Sequence, residues 1–276
     1  MRLSELGEFG FLEELERRGL AQAIEHDAAQ VDGLVVTQDA LVEGVHFGLA
    51  WISYRDLGFR AGAVNLSDLA ASGAEPAALV VSLGATPETR VEDLIELYEG
   101  IAELGVPVVG GDTTRAENLI LSVTALGRSE RVPGRAGARP GDLLVVTGAL
   151  GGAGAAFREQ RYLRPPVRIE EGRKLASSAH AMLDISDGIA RDAGHIAHRS
   201  GVRCVIELDL VPLAQGATVD DLGFGEDFEL LAAVAPDDPA ANDFRGVGRC
   251  EAGAGVTLLR AGVSYPLEGW DHFKTV

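Results

Sequence analysis

Two hydrophobic periods alternate along this chain. Short aliphatic runs at Leu34 to Thr37, Leu79 to Leu83, Val106 to Val109 and Leu119 to Leu126 predict strands. Between them, patterns at about residues 12–18, 54–72 and 91–104 return an apolar side chain every three or four positions and predict helices. Residues 128–142, RSERVPGRAGARPGD, are poor in aliphatic residues and rich in Gly, Pro and Arg, the composition of a connection between domains. A boundary near Gly134 divides the chain into residues 1–134 and 135–276. The second part predicts a strand at Leu143 to Thr147, a glycine-rich turn, a helix near 169–179, a strand at Ala181 to Leu183, a helix over 188–199 and strands near 202–208 and 228–234. Neither an internal repeat nor a low-complexity tract is visible. The expected fold class is α/β with mixed sheets of the α+β type, in two domains.

Composition narrows the partners. The chain has 276 residues, is 46% hydrophobic, and carries a formal net charge of -18 from 42 acidic and 24 basic residues. That charge repels polyanions, so nucleic acid is not an expected partner. The N-terminal stretch lacks the apolar core of a signal peptide, and no later run approaches the roughly 20 apolar residues that span a bilayer. A cytoplasmic protein without a membrane partner is expected. Cys204 and Cys250 lack CxxC spacing and read as structural thiols. The only lysines are Lys174 and Lys274, and no GxxxxGK[ST] occurs. Any phosphate chemistry must therefore use arginines or metals.

The anomalous residues are carboxylates. After Ser53, a helix N-cap by sequence, the apolar stripe Leu57, Ala61, Val64 continues to Asp68, with Asn65 on the same side. A carboxylate on a buried face must be paired or bound to metal. Asp112, in GGDTT, follows the apolar VPVV; read singly, GGD is a tight turn. Asp39 follows a third strand and leads toward Glu43 and His46, and Asp27 precedes that strand. Together, these carboxylates at strand ends, loops and a buried helix face have the oxygen chemistry of a magnesium site.

In the second part, LDISDGIARDAGHI puts Asp184 at a strand end and Ser186 and Asp187 at a helix start, where capping alone accounts for Asp187. The turn TGALGGAG has amides that suit a phosphate, yet by itself it reads as a flexible strand-to-helix turn. His195 and His198 form HxxH with no third ligand evident, and read as a solvated or capping pair.

Seven segments, in order, carry a resemblance: DALVEGVHF (39–47), NLSDLAASGAEP (65–76), GGDTT (110–114), RAGARPGD (135–142), LDISDGIARD (183–192), GEDFELL (225–231) and GWDHF (269–273). Over nearly the whole chain they resemble the thiamine-monophosphate kinase family. The resemblance implies the two-domain aminoimidazole ribonucleotide synthetase-like fold, pairing of N-terminal domains into a homodimer, and Mg2+- and ATP-dependent conversion of thiamine monophosphate to thiamine diphosphate. It places Asp27, Asp39, Asp68, Asp112, Asp184 and Asp187 on magnesium ligands, with Thr37 close to metal. Gly111, Asp112, Arg135, Ser186 and Tyr98 fall at nucleotide positions, and His46, Glu226 and Trp270 at positions for the thiamine phosphate. Asp39, Asp112 and Arg135 are the expected catalytic group.

This chain departs from the family in having Glu25-His26-Asp27 where paired aspartates are usual, Gln38 before Asp39 in place of a small hydroxyl residue, and Gly152 where aspartate is common. These bear on the magnesium count and the phosphate loop. With Asp27, Asp39, Asp68 and Asp112 in one domain and Asp184 and Asp187 in the other, the site is expected in the cleft between them. Two other functions fit the same residues: a superfamily relative acting on another small substrate, such as a formylglycinamide or a selenium donor, and a non-catalytic binder of thiamine diphosphate or nucleotide. ADP release with different acceptors separates all three.

Overall fold

The computed structural model describes residues 2–21 and 26–270. Glu25 of the Glu25-His26-Asp27 segment, and Asp271, His272 and Phe273 of the GWDHF motif, lie outside the described residues. The first half runs α1 (Leu3–Arg17), β1 (Ala29–Val31), β2 (Leu34–Val42), α2 (Tyr54–Ala71), β3 (Glu75–Ala85), α3 (Val91–Ala102), β4 (Val108–Arg115) and β5 (Ile120–Arg128). The second runs β6 (Leu143–Val146), α4 (Gly152–Arg158), α5 (Ile169–Ala176), β7 (Ala181–Asp184), α6 (Ile189–Ser200), β8 (Val202–Glu207), β9 (Leu230–Val234), α7 (Ala240–Asp243), β10 (Arg245–Ala252), β11 (Gly255–Arg260) and β12 (Val263–Ser264). No helix of the described residues is long and apolar enough to cross a membrane.

Each half builds one mixed sheet. The first is ordered β1-β2-β5-β3-β4, antiparallel except for β3 with β4; the second is ordered β12-β11-β8-β10-β6-β9-β7, antiparallel except for β11 with β8. In β5, Leu121, Val123 and Ala125 are buried while the alternate residues are partly exposed, so one face of the first sheet meets the helices and the other stays open. Helices α2 and α3 approach closely because both carry glycine at the crossing. A Cβ on Gly58 would lie 1.8 Å from the Leu97 carbonyl oxygen, and one on Gly100 would lie 1.9 Å from that of Arg55. In the second half, α6 buries Ile189, Ala193, Ile196 and Ala197 against one sheet face. Ala70 and Ala71 at the end of α2 pack with Leu175, Ala176, Ala179 and Met182, joining the halves.

Several elements differ from the sequence expectation. The first helix starts at Leu3, with a break at Gly7 (φ +73°). The strand expected at Val106 to Val109 is β4, which runs through GGDTT, so Asp112 lies within a strand and not in a turn after one. Its pairing partner explains this: Gly111 and Asp112 stand beside Val81 and Ser82 of β3, whose backbone supplies the hydrogen bonds whatever the side chains are. β4 is an edge strand with all eight residues exposed, so no hydrophobic pattern was imposed on it. Likewise β2 extends to Val42 and contains Asp39. Sequence periodicity also missed α4, β10, β11 and β12, which are short or rich in Gly and Arg.

Candidate active site between the two sheets

Asp27, Asp68 and Asp184 each offer an oxygen, and the three oxygens lie within 4.8 Å of one another. Different elements deliver them. Ser53 caps α2 by accepting from the Asp56 amide at 3.1 Å, and that helix carries Asp68 on the side its apolar stripe predicts. Asp68 is half-buried and accepts from the Thr37 hydroxyl on β2. The adjacent Ser67 donates to Asp184 Oδ2 at 2.6 Å, linking α2 to the end of β7. Arg135, in the connection, donates Nε and Nη2 to Asp27 Oδ1 at 2.8 and 2.6 Å.

Like charges without bulk water make this arrangement costly. Burial, and then Asp39, Asp184 and Asp27, raise the Asp68 carboxyl well above its usual range. Burial, followed by Asp27, pushes Asp184 up to about 8. Burial by itself would lower Arg135, but the adjoining Asp27 carboxylate more than reverses that. Asp39 lies close enough to raise both Asp68 and Asp184. Its amide donates to Asn65 Oδ1 at 3.1 Å, which ties β2 to α2. His26 packs its ring on Gly134, and its Nδ1 is buried with no hydrogen-bond partner among the described residues.

A second constellation surrounds Arg60, which sequence reasoning missed although it lies on the buried stripe of α2 between Leu57 and Val64. Arg60 is 2% exposed. It donates Nη1 to the His46 carbonyl oxygen at 2.7 Å and pairs through Nη2 with Glu226. One cation thus clamps two of the three residues expected at the thiamine phosphate. The third, Trp270, is 43% exposed, and its amide donates to the Asp187 carbonyl oxygen at 3.0 Å. The loop holding Glu226 is laced to the loop after β7: Glu226 N donates to Ser186 O at 2.8 Å and Phe228 N to Ile185 O at 2.9 Å.

The GEDFELL segment has further work that its spacing did not reveal. Asp227 accepts from Gly151 N at 2.8 Å, and the amides of Ala153 and Gly152 also favour its charged form, against burial that pushes it up to about 6. The glycine turn therefore spends its amides on a carboxylate of the protein. Glu229 pairs with Arg168 at 2.6 Å and accepts from the Thr147 hydroxyl at 2.6 Å.

Asp187, Asp192 and His195 form another close group, so His195 does have neighbours of ligand type, contrary to the solvated-pair reading. Helix geometry brings them together only once the loop before α6 turns back. Burial, then Arg135, lowers His195 to about 3, which keeps it neutral. Capping does not account for Asp187 either: it meets Arg191 at 3.1 Å and its amide donates to Asp192 at 3.1 Å, while Gly188 occupies the N-cap. His198 is exposed.

Tyr98 lines a cavity of about 470 Å³ with Leu83, Val91, Leu94, Ile95 and Thr113. Gly111 lies in register with Val81, Val123 and Asp39, and a Cβ there would come within 1.9 Å of the Val81 carbonyl oxygen. That glycine therefore serves the pairing of β4. Asp112 belongs to the next row, with Ser82 and Ser122, and strand alternation turns it to the open sheet face, apart from Asp27, Asp68 and Asp184.

The fold has known counterparts. The models for the AIR synthase related protein N-terminal and C-terminal domains match residues 25–129 and 139–249. An E. coli HypE structure shares the fold at 22% identity, covering 95% of this chain and 97% of its own, with a TM-score of 0.67. The chain is thus an AIR synthase-related protein.

Within that class it belongs to the thiamine-monophosphate kinase family. The Aquifex aeolicus thiamine-monophosphate kinase is 33% identical over 99% of this chain and 100% of its own, and that of Pyrococcus abyssi is 33% identical over 95% and 93%. A solved structure described as AaThiL complexed with AMPPCP and TMP superposes with a TM-score of 0.89 at 33% identity, covering 99% of both chains.

Proposed function

We propose that this chain transfers the γ-phosphoryl group of ATP to the phosphate of thiamine monophosphate, yielding ADP and thiamine diphosphate in one in-line step. The observation that carries this reading is the meeting of Asp27, Asp68 and Asp184 from both halves of the chain, beside the Arg60 clamp on His46 and Glu226. The relatives named for this activity, and the relative bound to AMPPCP and TMP, support it.

The donor set fits Mg2+: it is all oxygen, and Asp68 and Asp184 are raised by burial and then by neighbouring carboxylates, a cost that a divalent cation would relieve. Asp27, Asp68 and Asp184 would hold it, with Asp39 and Thr37 near and Asp187 in the separate group with Asp192 and His195; it would supply positive charge to offset that of the phosphates. The chain's own groups hold the rest. Thr37 and Ser67 fix the orientations of Asp68 and Asp184. Arg135 fixes Asp27 and adds positive charge beside it. In the transfer, the bond from the γ-phosphorus to the ADP oxygen breaks as one to an acceptor phosphate oxygen forms. Since a phosphate monoester is largely ionised at neutral pH, with a second pKa of about 6, no general base is needed.

Tyr98, Gly111, Asp112, Arg135 and Ser186 are read as nucleotide contacts, with Tyr98 in the apolar cavity and Asp112 on the other face of the sheet, and His46, Glu226 and Trp270 as contacts of the acceptor. The two parts, 1–134 and 135–276, act as domains, and two copies pair through the first. The exposed β4 edge, with Val109 65% exposed, favours such pairing. Cys204 and Cys250 are free thiols, in keeping with a cytoplasmic setting. ADP release with thiamine, thiamine monophosphate and hydroxymethylpyrimidine phosphate as competing acceptors tests the reading. Turnover with thiamine monophosphate is the expected result, and turnover with only another acceptor, or with none, rejects it.

A further inference from the structure

The chain's two cysteines, structural thiols by sequence, stand directly opposite each other on neighbouring antiparallel strands: Cys204 of β8 is in register with Cys250 of β10. The backbone hydrogen bonds of Cys250 run the other way. Its amide donates to the Asp142 carbonyl oxygen at 2.8 Å, and its own carbonyl oxygen accepts from the Gly141 amide at 2.8 Å. Toward Cys204 it therefore forms a non-hydrogen-bonded pair, the narrow kind, with Cα atoms about 4.5 Å apart and both side chains on one face. A disulfide spans roughly 4.4–6.8 Å between Cα atoms, so the bond can close here without moving the backbone. Both thiols are buried, at 0% and 1% exposure, in one core cluster with Ala193 and Ile196 of α6. They hydrogen-bond each other, which favours the Cys204 thiolate and pushes the Cys250 thiol up. A buried cysteine by itself is a small hydrophobe, but two in a narrow pair share chemistry that neither has alone.

We propose that Cys204 and Cys250 are a reversible oxidation site, where a peroxide converts two thiols to a disulfide that ties β8 to β10 and protects the core from harsher oxidation. The Cys204 thiolate takes one oxygen of hydrogen peroxide and becomes a sulfenic acid, and the hydroxide that leaves picks up the thiol's proton as water. The Cys250 sulfur then attacks that of Cys204, forming the S–S bond and releasing a second water. The two thiols give up two protons and two electrons, which reduce the peroxide. With no Cys250, the sulfenic acid goes on to sulfinic acid, an anion that this apolar cluster cannot solvate. The closed bond encloses residues 205–249, the GEDFELL segment among them, and restrains the unfolded chain more than it disturbs the folded one. Because both thiols are buried, peroxide reaches them only on local opening, and the reaction is slow.

The test incubates the native protein with hydrogen peroxide, then denatures it, alkylates the remaining thiols and digests with trypsin in the absence of reductant. Arg203 and Arg249 precede the cysteines, so each cysteine begins its own peptide, 204–245 and 250–260. The expected product is these two peptides joined, lighter than their sum by two hydrogens. The oxidised protein melts about 3–6 °C higher than the reduced one, and dithiothreitol reverses both changes. Cys250→Ala, treated in the same way, gains oxygen on Cys204 and melts lower than before treatment. Two alkylated thiols in the treated wild type, oxygen added to either cysteine in place of the link, a melting temperature that does not rise, or a Cys204 that stays reduced in Cys250→Ala overturns the proposal. The wild-type peptide map decides by itself if that variant does not fold.

Discussion

Asp68→Asn loses about 10²- to 10³-fold in kcat with thiamine monophosphate, yet in metal-free buffer it melts above the wild type. The two effects share one cause. Asp68 is held beside Asp27 and Asp184 with its charge disfavoured by burial and by its neighbours, so an amide of the same shape relieves the folded state while removing an oxygen anion from the ion site. The pH dependence follows from Asp184, which titrates near 3.8 when unfolded and near 8 when folded. Between these values the folded chain binds more protons, so its stability falls as pH rises. This contribution is fully present below pH 3.8 and is lost as pH passes through about 8. Mg2+ therefore raises Tm more at pH 8 than at pH 6 in the wild type, and the difference shrinks in Asp68→Asn. Calorimetric scans with chelator and with Mg2+ at both pH values measure this. An Asp68→Asn protein that is less stable than wild type without metal, with normal turnover, would show that Asp68 is merely a structural residue.

Arg60→Met raises KM for thiamine monophosphate at least about tenfold and leaves KM for ATP nearly unchanged. Methionine keeps an apolar stem but lacks the guanidinium, so the clamp between His46 and Glu226 is gone. Glu226 is about one-third exposed and rehydrates, so the stability loss is limited to about 1–3 kcal/mol, several degrees of Tm. In Arg60→Met with Glu226→Gln, the second change costs much less than it does alone, because the two residues act as a pair. Steady-state kinetics with both substrates varied, with thermal melts, provides the check; additive effects would separate Glu226 from the clamp.

Much of the site was legible because its chemistry is local. The stripe Leu57, Ala61, Val64, Asp68 announced a carboxylate on the inner side of α2, and the loop after β7 announced Asp184 at a strand end. What sequence concealed was pairing across long separations. Asp227 and the glycine turn meet only because β9 lies beside β6, so a turn that read as flexible has its amides held by a carboxylate. Arg60 was visible as a charge on an apolar stripe, but its partner is 166 positions away. Asp112 was placed at a strand end because glycine and aspartate are poor strand formers; an exposed edge strand tolerates them, since its partner strand supplies the hydrogen bonds. Of the six carboxylates expected in a cleft between two halves, Asp27, Asp68 and Asp184 meet, Asp39 lies close enough to raise Asp68 and Asp184, Asp187 groups with Asp192 and His195, and Asp112 is on a different face.

The measurement that decides most is the yield of thiamine diphosphate and ADP as Mg2+ is titrated, for the wild type and Asp184→Asn side by side. The wild type should form the two products in equal amounts, only with divalent cation present, and the variant should need at least about tenfold more Mg2+ for half-maximal rate. ADP without thiamine diphosphate, or the same Mg2+ dependence in both proteins, would contradict the site built from Asp27, Asp68 and Asp184.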